Sequence, residues 1–109
     1  MLPNTDPFEA LGDPRRRQIL QLLSEGDLAV SELADSLPIS RPAVSRHLRL
    51  LKEAGFVAER PEGTRRIYRL RQEGADAVRE YLEAVWGSAA TRFRMVAENT
   101  RPTEDREPS

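Results

Sequence analysis

Residues 31–51, SELADSLPISRPAVSRHLRLL, constrain this chain more than any other stretch. Ser40 has the hydroxyl of a helix N-cap, and Pro42 follows in the first turn, where a missing N–H costs no intrahelical bond. The spacing predicts a helix over residues 41–54, ended by Gly55, which suits a left-handed C-terminal position. At about 100° per residue, Val44, Leu48 and Leu51 share one narrow face that must be buried. Pro42, Ser45, Arg46 and Arg49 fall opposite, with Arg41 and Lys52 on the flank. Leu33, Ala34 and Leu37 give the preceding segment a short apolar face. Leu37-Pro38-Ile39-Ser40 then leaves room only for a brief turn, and Ala34 is small enough for close packing. Two short helices around such a turn form a helix-turn-helix.

The polar face of the second helix has two readings. It is either an ordinary solvated surface or a recognition face, with short hydroxyls and guanidinium forks aimed at bases and phosphates. The charge distribution favours recognition. The chain's net charge is −1, yet residues 41–71 carry nine basic residues against three acidic, a local +6 that leaves −7 elsewhere. Phosphate binding needs such a concentration, with the acidic remainder turned away.

Upstream, residues 1–5 read as flexible. Asp6-Pro7 opens a short helix with Phe8, Ala10 and Leu11 facing inward, and Gly12 ends it. Asp13-Pro14 starts the next helix by the same N-cap and proline device. Ile19, Leu20, Leu22 and Leu23 give that helix a broad core face, and Glu25-Gly26-Asp27 closes it. Arg15, Arg16 and Arg17 read as a solvated turn rather than a phosphate site.

Downstream of Gly55, residues 56–60 and 66–70 are short β-rich runs around Pro61-Glu62-Gly63-Thr64-Arg65, a turn signal. They predict a hairpin with a basic tip, hence a winged helix-turn-helix, with Gly63, Thr64, Arg65 and Arg66 placed to reach an adjacent groove or phosphate. Residues 73–98 then predict a long amphipathic helix. Val78, Leu82, Val85, Ala89, Phe93 and Val96 recur every three or four positions, widened by Tyr81 and Trp86. Earlier helices already supply a core, so this stripe predicts a partner helix, most simply its own copy in a homodimer. Gly87-Ser88 marks a weak point or kink. Residues 99–109 read as a disordered tail.

Several function classes are excluded. The chain has no cysteine, hence no disulfide, thiolate metal site or cysteine nucleophile. It has no signal peptide and no apolar run able to span a membrane, so a cytoplasmic location is expected. An enzyme fares badly. His47 is the only histidine, at the edge of the buried helix face, where it reads as a packing or hydrogen-bonded residue. There is no glycine-rich phosphate loop, nucleophile elbow or metal-ligand pair.

Together these segments resemble a family. Ala10-Leu11-Gly12-Asp13-Pro14 with Arg16-Arg17 and Ile19-Leu20 resembles the opening of ArsR-type winged-helix repressors. So do Ser31-Glu32-Leu33-Ala34, residues 40–48 (SRPAVSRHL), Leu51 to Gly55, and the Arg65 to Leu70 strand. The resemblance covers roughly residues 6–98 and rests on several linked segments. It implies a homodimer held by the first and last helices, binding an imperfect palindrome, usually as a repressor near its own promoter. It also implies that Arg41, Pro42, Ser45 and Arg46 face the major groove. Where many members place paired metal-binding cysteines, this chain has Ala29 and Ser31. Its last helix has Asp76, Glu80 and Glu83 but no histidine, a poor transition-metal site. The resemblance is thus to a subgroup without metal ligands, and no metal or other cofactor is expected.

The expected fold is mainly α with a small β-hairpin, a winged helix-turn-helix in α-α-α-α-β-β-α order, occupying residues 6–98. The expected function is sequence-specific binding of double-stranded DNA by a homodimeric transcriptional repressor, with an unidentified small-molecule effector as a further partner. The DNA-contacting set is Ser40, Arg41, Pro42, Ser45, Arg46, Arg49, Gly63, Thr64, Arg65 and Arg66. The dimer set is Phe8, Leu11, Val78, Leu82, Val85, Trp86, Ala89, Phe93 and Val96. The alternative is a winged-helix module that binds protein and not DNA; such a module would be expected to lose these basic residues.

Overall fold

The computed structural model describes residues 5–87. The elements are α1 (Pro7–Leu11), α2 (Pro14–Leu23), β1 (Leu28–Ala29), α3 (Val30–Asp35), α4 (Arg41–Glu53), β2 (Val57–Glu62), β3 (Arg65–Leu70) and α5 (Glu73–Leu82). One π-wound turn, Glu83–Gly87, follows. Residues through Val78 make one compact unit, and from Arg79 the chain belongs to a second. The expectations for residues 1–4, for the helix beyond Gly87 and for the 99–109 tail lie outside the described residues.

Helix starts follow one local rule. Asp6, Asp13 and Ser40 accept the N–H groups of Phe8 (2.9 Å), Arg15 (2.7 Å) and Ala43 (3.3 Å), and each precedes a helix with proline in its first turn. The recognition-type helix α4 ends at Glu53, and Gly55 takes the left-handed conformation expected of it, with φ of 84°.

The predicted stripe of α4 is the centre of the core. Val44, Leu48 and Leu51 are fully buried, as are Ile19 of α2 and Leu33 of α3. Burying each such side chain contributes about 1.5–3 kcal/mol. Leu23, Leu37, Ala54, Phe56 and Val57 complete the cluster with Ala10. Within α1 only Ala10 is buried. Phe8 is 42 % exposed and Leu11 half-buried, so the inward placement expected for Phe8 is corrected. A five-residue helix has too few turns to bury three side chains on one side.

Two readings about the arginine run and the wing also change. Arg16 is half-buried and Arg17 stays exposed, but both are engaged by backbone carbonyls. Arg16 donates to the carbonyls of Ala10 (2.7 Å) and Glu9 (3.1 Å), and Arg17 to that of Leu11 (2.7 Å). They satisfy the C-terminal carbonyls of a helix too short to be stable alone. The sheet has three strands, ordered β1-β3-β2 and antiparallel throughout. β1 was not expected: two residues show no alternation, and only β3 defines them, pairing Leu28 with Tyr68 and Ala29 with Ile67. The hairpin turn is tighter than expected. Glu62 pairs with Arg65, leaving Gly63 and Thr64 as the loop, with Gly63 at φ 65°. Pro61 lies inside β2, which it tolerates because β2 is an edge strand.

α5 begins against the α4–β2 corner. The Gly74 N–H donates to Gly55 O at 2.8 Å. A Cβ on Gly74 would stand 2.8 Å from both Ala54 O and Phe56 Cδ1, so this close approach requires glycine. The predicted long helix thus departs from α geometry after Leu82, a few residues before the Gly87-Ser88 weak point.

Candidate nucleic-acid interface

Burial of Val44, Leu48 and Leu51 fixes the rotation of α4 and leaves Arg41, Pro42, Ser45, Arg46 and Arg49 exposed. Ser40 is exposed too, but its hydroxyl is engaged as the N-cap of α4. Arg41, Pro42 and Ser45 share an open groove of about 570 Å³ with Thr64, Arg65 and Arg66 of the wing and Ala29, Val30 and Ser31. The fold therefore brings most of the expected DNA-contacting residues to one groove. Arg46 and Arg49 lie outside its lining, as does Gly63, which shapes the wing turn.

The cations differ in how they are neutralised. Among the described residues, no carboxylate lies within ion-pair distance of Arg41, Arg46 or Arg49. The wing arginines are paired: Arg65 with Glu32 at 3.1 Å and Arg66 with Glu59 at 3.4 Å. Glu59 also accepts from Lys52 Nζ at 2.8 Å and from the Tyr68 hydroxyl at 2.7 Å. The Lys52 and Tyr68 hydrogen bonds hold its carboxyl below the ordinary 4.5, outweighing partial burial, with the charges of Lys52 and Arg66 assisting. Burial and the Glu59 carboxylate push the Tyr68 phenol up to about 12.

Sequence reasoning missed these acidic partners. Glu59 reads as one of three acidic exceptions inside the basic region and Glu32 only as part of the segment 31–34, whereas both pair with wing arginines. The signal for Glu59 is its register, directly opposite Tyr68 across the hairpin. Ala29 and Ser31, at the positions where the resemblance places cysteines, line the groove but offer no thiolate. Among the described residues, no group of three or more His, Cys, Asp or Glu side chains could hold a metal ion. No helix among them is long and apolar enough to cross a membrane.

Comparison with known proteins agrees with this geometry. The family profile described as "Bacterial regulatory protein, arsR family" matches residues 13–59, spanning both helices of the motif. The chain is 47% identical over 92 residues to an HTH-type transcriptional regulator of Mycobacterium tuberculosis, covering 84% of this chain and 86% of that one. It is 33% identical over 93 residues to the arsenical resistance operon repressor of Escherichia coli, covering 84% and 80%. Among solved structures, an ArsR-like transcriptional regulator from Rhodococcus sp. RHA1 superposes with a TM-score of 0.70 at 30% identity, covering 85% of this chain and 88% of that one. The chain belongs to the arsR family of bacterial regulatory proteins and is a DNA-binding transcriptional regulator with a winged helix-turn-helix fold.

Proposed function

We propose that the chain is a homodimeric repressor that occludes a promoter by binding an imperfect palindrome. In this reading α4 enters the major groove and wing residues 61–66 meet the flanking backbone. The observation that carries it is the set of exposed guanidinium groups on α4. Arg41, Arg46 and Arg49 have no carboxylate within ion-pair distance among the described residues, so contact with phosphate or guanine displaces no internal partner. A winged helix that docks on protein would be expected to lose these basic residues, and this chain keeps them.

Dimerisation is supported by apolar exposure. Leu82, Val85 and Trp86 are 45, 43 and 59 % exposed, and Phe8 is also open to solvent. Leu11 and Val78, from the same expected set, are half-buried against the core, while Ala89, Phe93 and Val96 lie outside the described residues. Two copies would cover these side chains and present two α4 helices to successive major grooves. The partners in this reading are double-stranded DNA, a second copy of the chain and an unidentified small-molecule effector, in the cytoplasm. That several relatives, the Escherichia coli one among them, are named repressors supports repression over activation.

Hydroxyl-radical footprinting on DNA upstream of the chain's own gene tests this. Two protected half-sites about one helical turn, roughly 10–10.5 bp, or a multiple of it apart are expected. Val85→Asp with Trp86→Asp should give monomers by light scattering and erase the paired footprint. A single protected half-site, or an intact dimer in the variant, would contradict the reading.

A further inference from the structure

Arg16 lies in α2, outside the DNA-contacting set, yet its guanidinium meets three helices. Its side chain is only 11 % exposed. Besides the α1 carbonyls of Ala10 and Glu9, it stands 3.8 Å from Oδ2 of Asp13, the N-cap of its own helix, and 3.3 Å from His47 Nδ1 on α4. Arginine has no acceptor, so this contact is a hydrogen bond when Nδ1 receives it, that is, in the neutral tautomer with its proton on Nε2. His47 sits between Arg46, an exposed cation of the recognition face, and Leu48, a fully buried core residue.

The core grips α4 along one stripe only, Val44, Leu48 and Leu51. Burial of that stripe sets which face of α4 is exposed, and a directional bond at its edge holds the helix against the small rolling that apolar packing alone allows. We propose that Arg16 and His47 are a positioning pair that sets the roll of the recognition helix, and with it the aim of Ser45 and Arg46, from the α1–α2 corner. This rests on the reading of α4 as the DNA-reading element.

The surroundings favour the neutral acceptor. Burial lowers the His47 pKa below its ordinary 6.5; Asp13 opposes the shift, while Arg16, Arg46 and Arg15 reinforce it. Asp13 itself remains ionised: burial opposes this, but the Arg15 N–H and the Arg16 charge outweigh it and lower its pKa below the ordinary 3.8. Protonating Nδ1 would remove the acceptor and set an imidazolium against Arg16, with Arg15 and Arg46 also nearby.

The test measures the ratio of affinities for upstream DNA and a scrambled duplex. His47→Leu should reduce the ratio by roughly 2- to 30-fold, the range for network residues that touch neither ligand, with binding to the scrambled duplex retained. His47→Asn places an amide oxygen near the Nδ1 position and should restore the ratio; it also decides the matter if the leucine variant does not fold. His47 is the only histidine, so its imidazole resonances are unambiguous. Between about pH 7.5 and about pH 5 the wild-type ratio should fall in step with imidazole protonation, and that of His47→Asn should not. An unchanged ratio in His47→Leu, no rescue by asparagine, or a fully titrated imidazole with an unchanged ratio each overturns the pair's role. A wild-type chain that treats both duplexes alike at neutral pH overturns instead the DNA-site reading beneath it. Ring ¹⁵N shifts then still test the bond itself, and a protonated Nδ1 at neutral pH would refute it.

Discussion

The Arg65 guanidinium stands 3.1 Å from Glu32 Oε1, and that same oxygen accepts the Ala29 N–H at 2.8 Å. One carboxylate thus caps the start of α3 and holds the tip of the wing beside the groove. Both side chains are about half exposed, so the pair adds only about 0–1 kcal/mol to stability. Its larger effect is on DNA, because phosphate must compete with Glu32 for Arg65. Glu32→Gln should tighten non-specific binding and steepen the dependence of log K on log salt by about 0.9, one phosphate contact. Arg65→Ala with Arg66→Ala should flatten the same slope by up to about 1.8. Titrations at several salt concentrations check both, and unchanged slopes would remove the wing from the interface.

Arg46 is exposed on α4 with no internal carboxylate partner among the described residues. If it reads a base edge, Arg46→Ala should weaken binding to upstream DNA by about 1–3 kcal/mol and relax discrimination. Equal losses on scrambled DNA would make it a phosphate contact only.

Gly74→Ala tests the packing that ends the wing. Its Cβ would stand 2.8 Å from Ala54 O, a backbone atom that cannot rotate aside. A loss of about 1–3 kcal/mol in unfolding free energy is expected, read from denaturant melts. An unchanged midpoint would mean that α5 does not seat against the α4–β2 corner.

Stability should depend on Glu59 at acid pH. Its folded pKa is lowered, so its contribution is complete above the ordinary 4.5 and is lost as pH falls through the depressed folded value. Between about pH 6 and about pH 3 the wild type should lose more stability than Glu59→Gln. At the alkaline end the sign reverses. The raised Tyr68 pKa contributes stability that is complete below the ordinary 10.0 and is lost as pH rises through about 12. Thermal melts across both ranges, with phenolate absorbance for Tyr68, check the two limbs.

Much of this was legible in the sequence because local chemistry agreed with tertiary placement. The Asp6, Asp13 and Ser40 caps, the Val44, Leu48 and Leu51 stripe, and Gly55 each carry their structural role in their own residue type and spacing. What was hidden depends on partners far along the chain. β1 exists only because β3 lies beside it. Arg16 has the composition of a solvated charge run, yet α1 and His47 surround it. Gly74 resembles any helix glycine until Phe56 is placed against it. Within the candidate site, exposure of the α4 arginines followed from periodicity alone, whereas the neutralisation of Arg65 and Arg66 by Glu32 and Glu59 required the folded hairpin.

The most direct test is fluorescence anisotropy of the purified chain on its own upstream DNA and on a scrambled duplex, at low and physiological salt. The predicted result is a clear preference for the upstream DNA, with a dissociation constant in the range of roughly 10⁻⁸–10⁻¹¹ M at physiological salt. Weak binding, equal on both duplexes and abolished by salt, would contradict the assignment of α4 and the wing as a sequence-reading surface for that DNA.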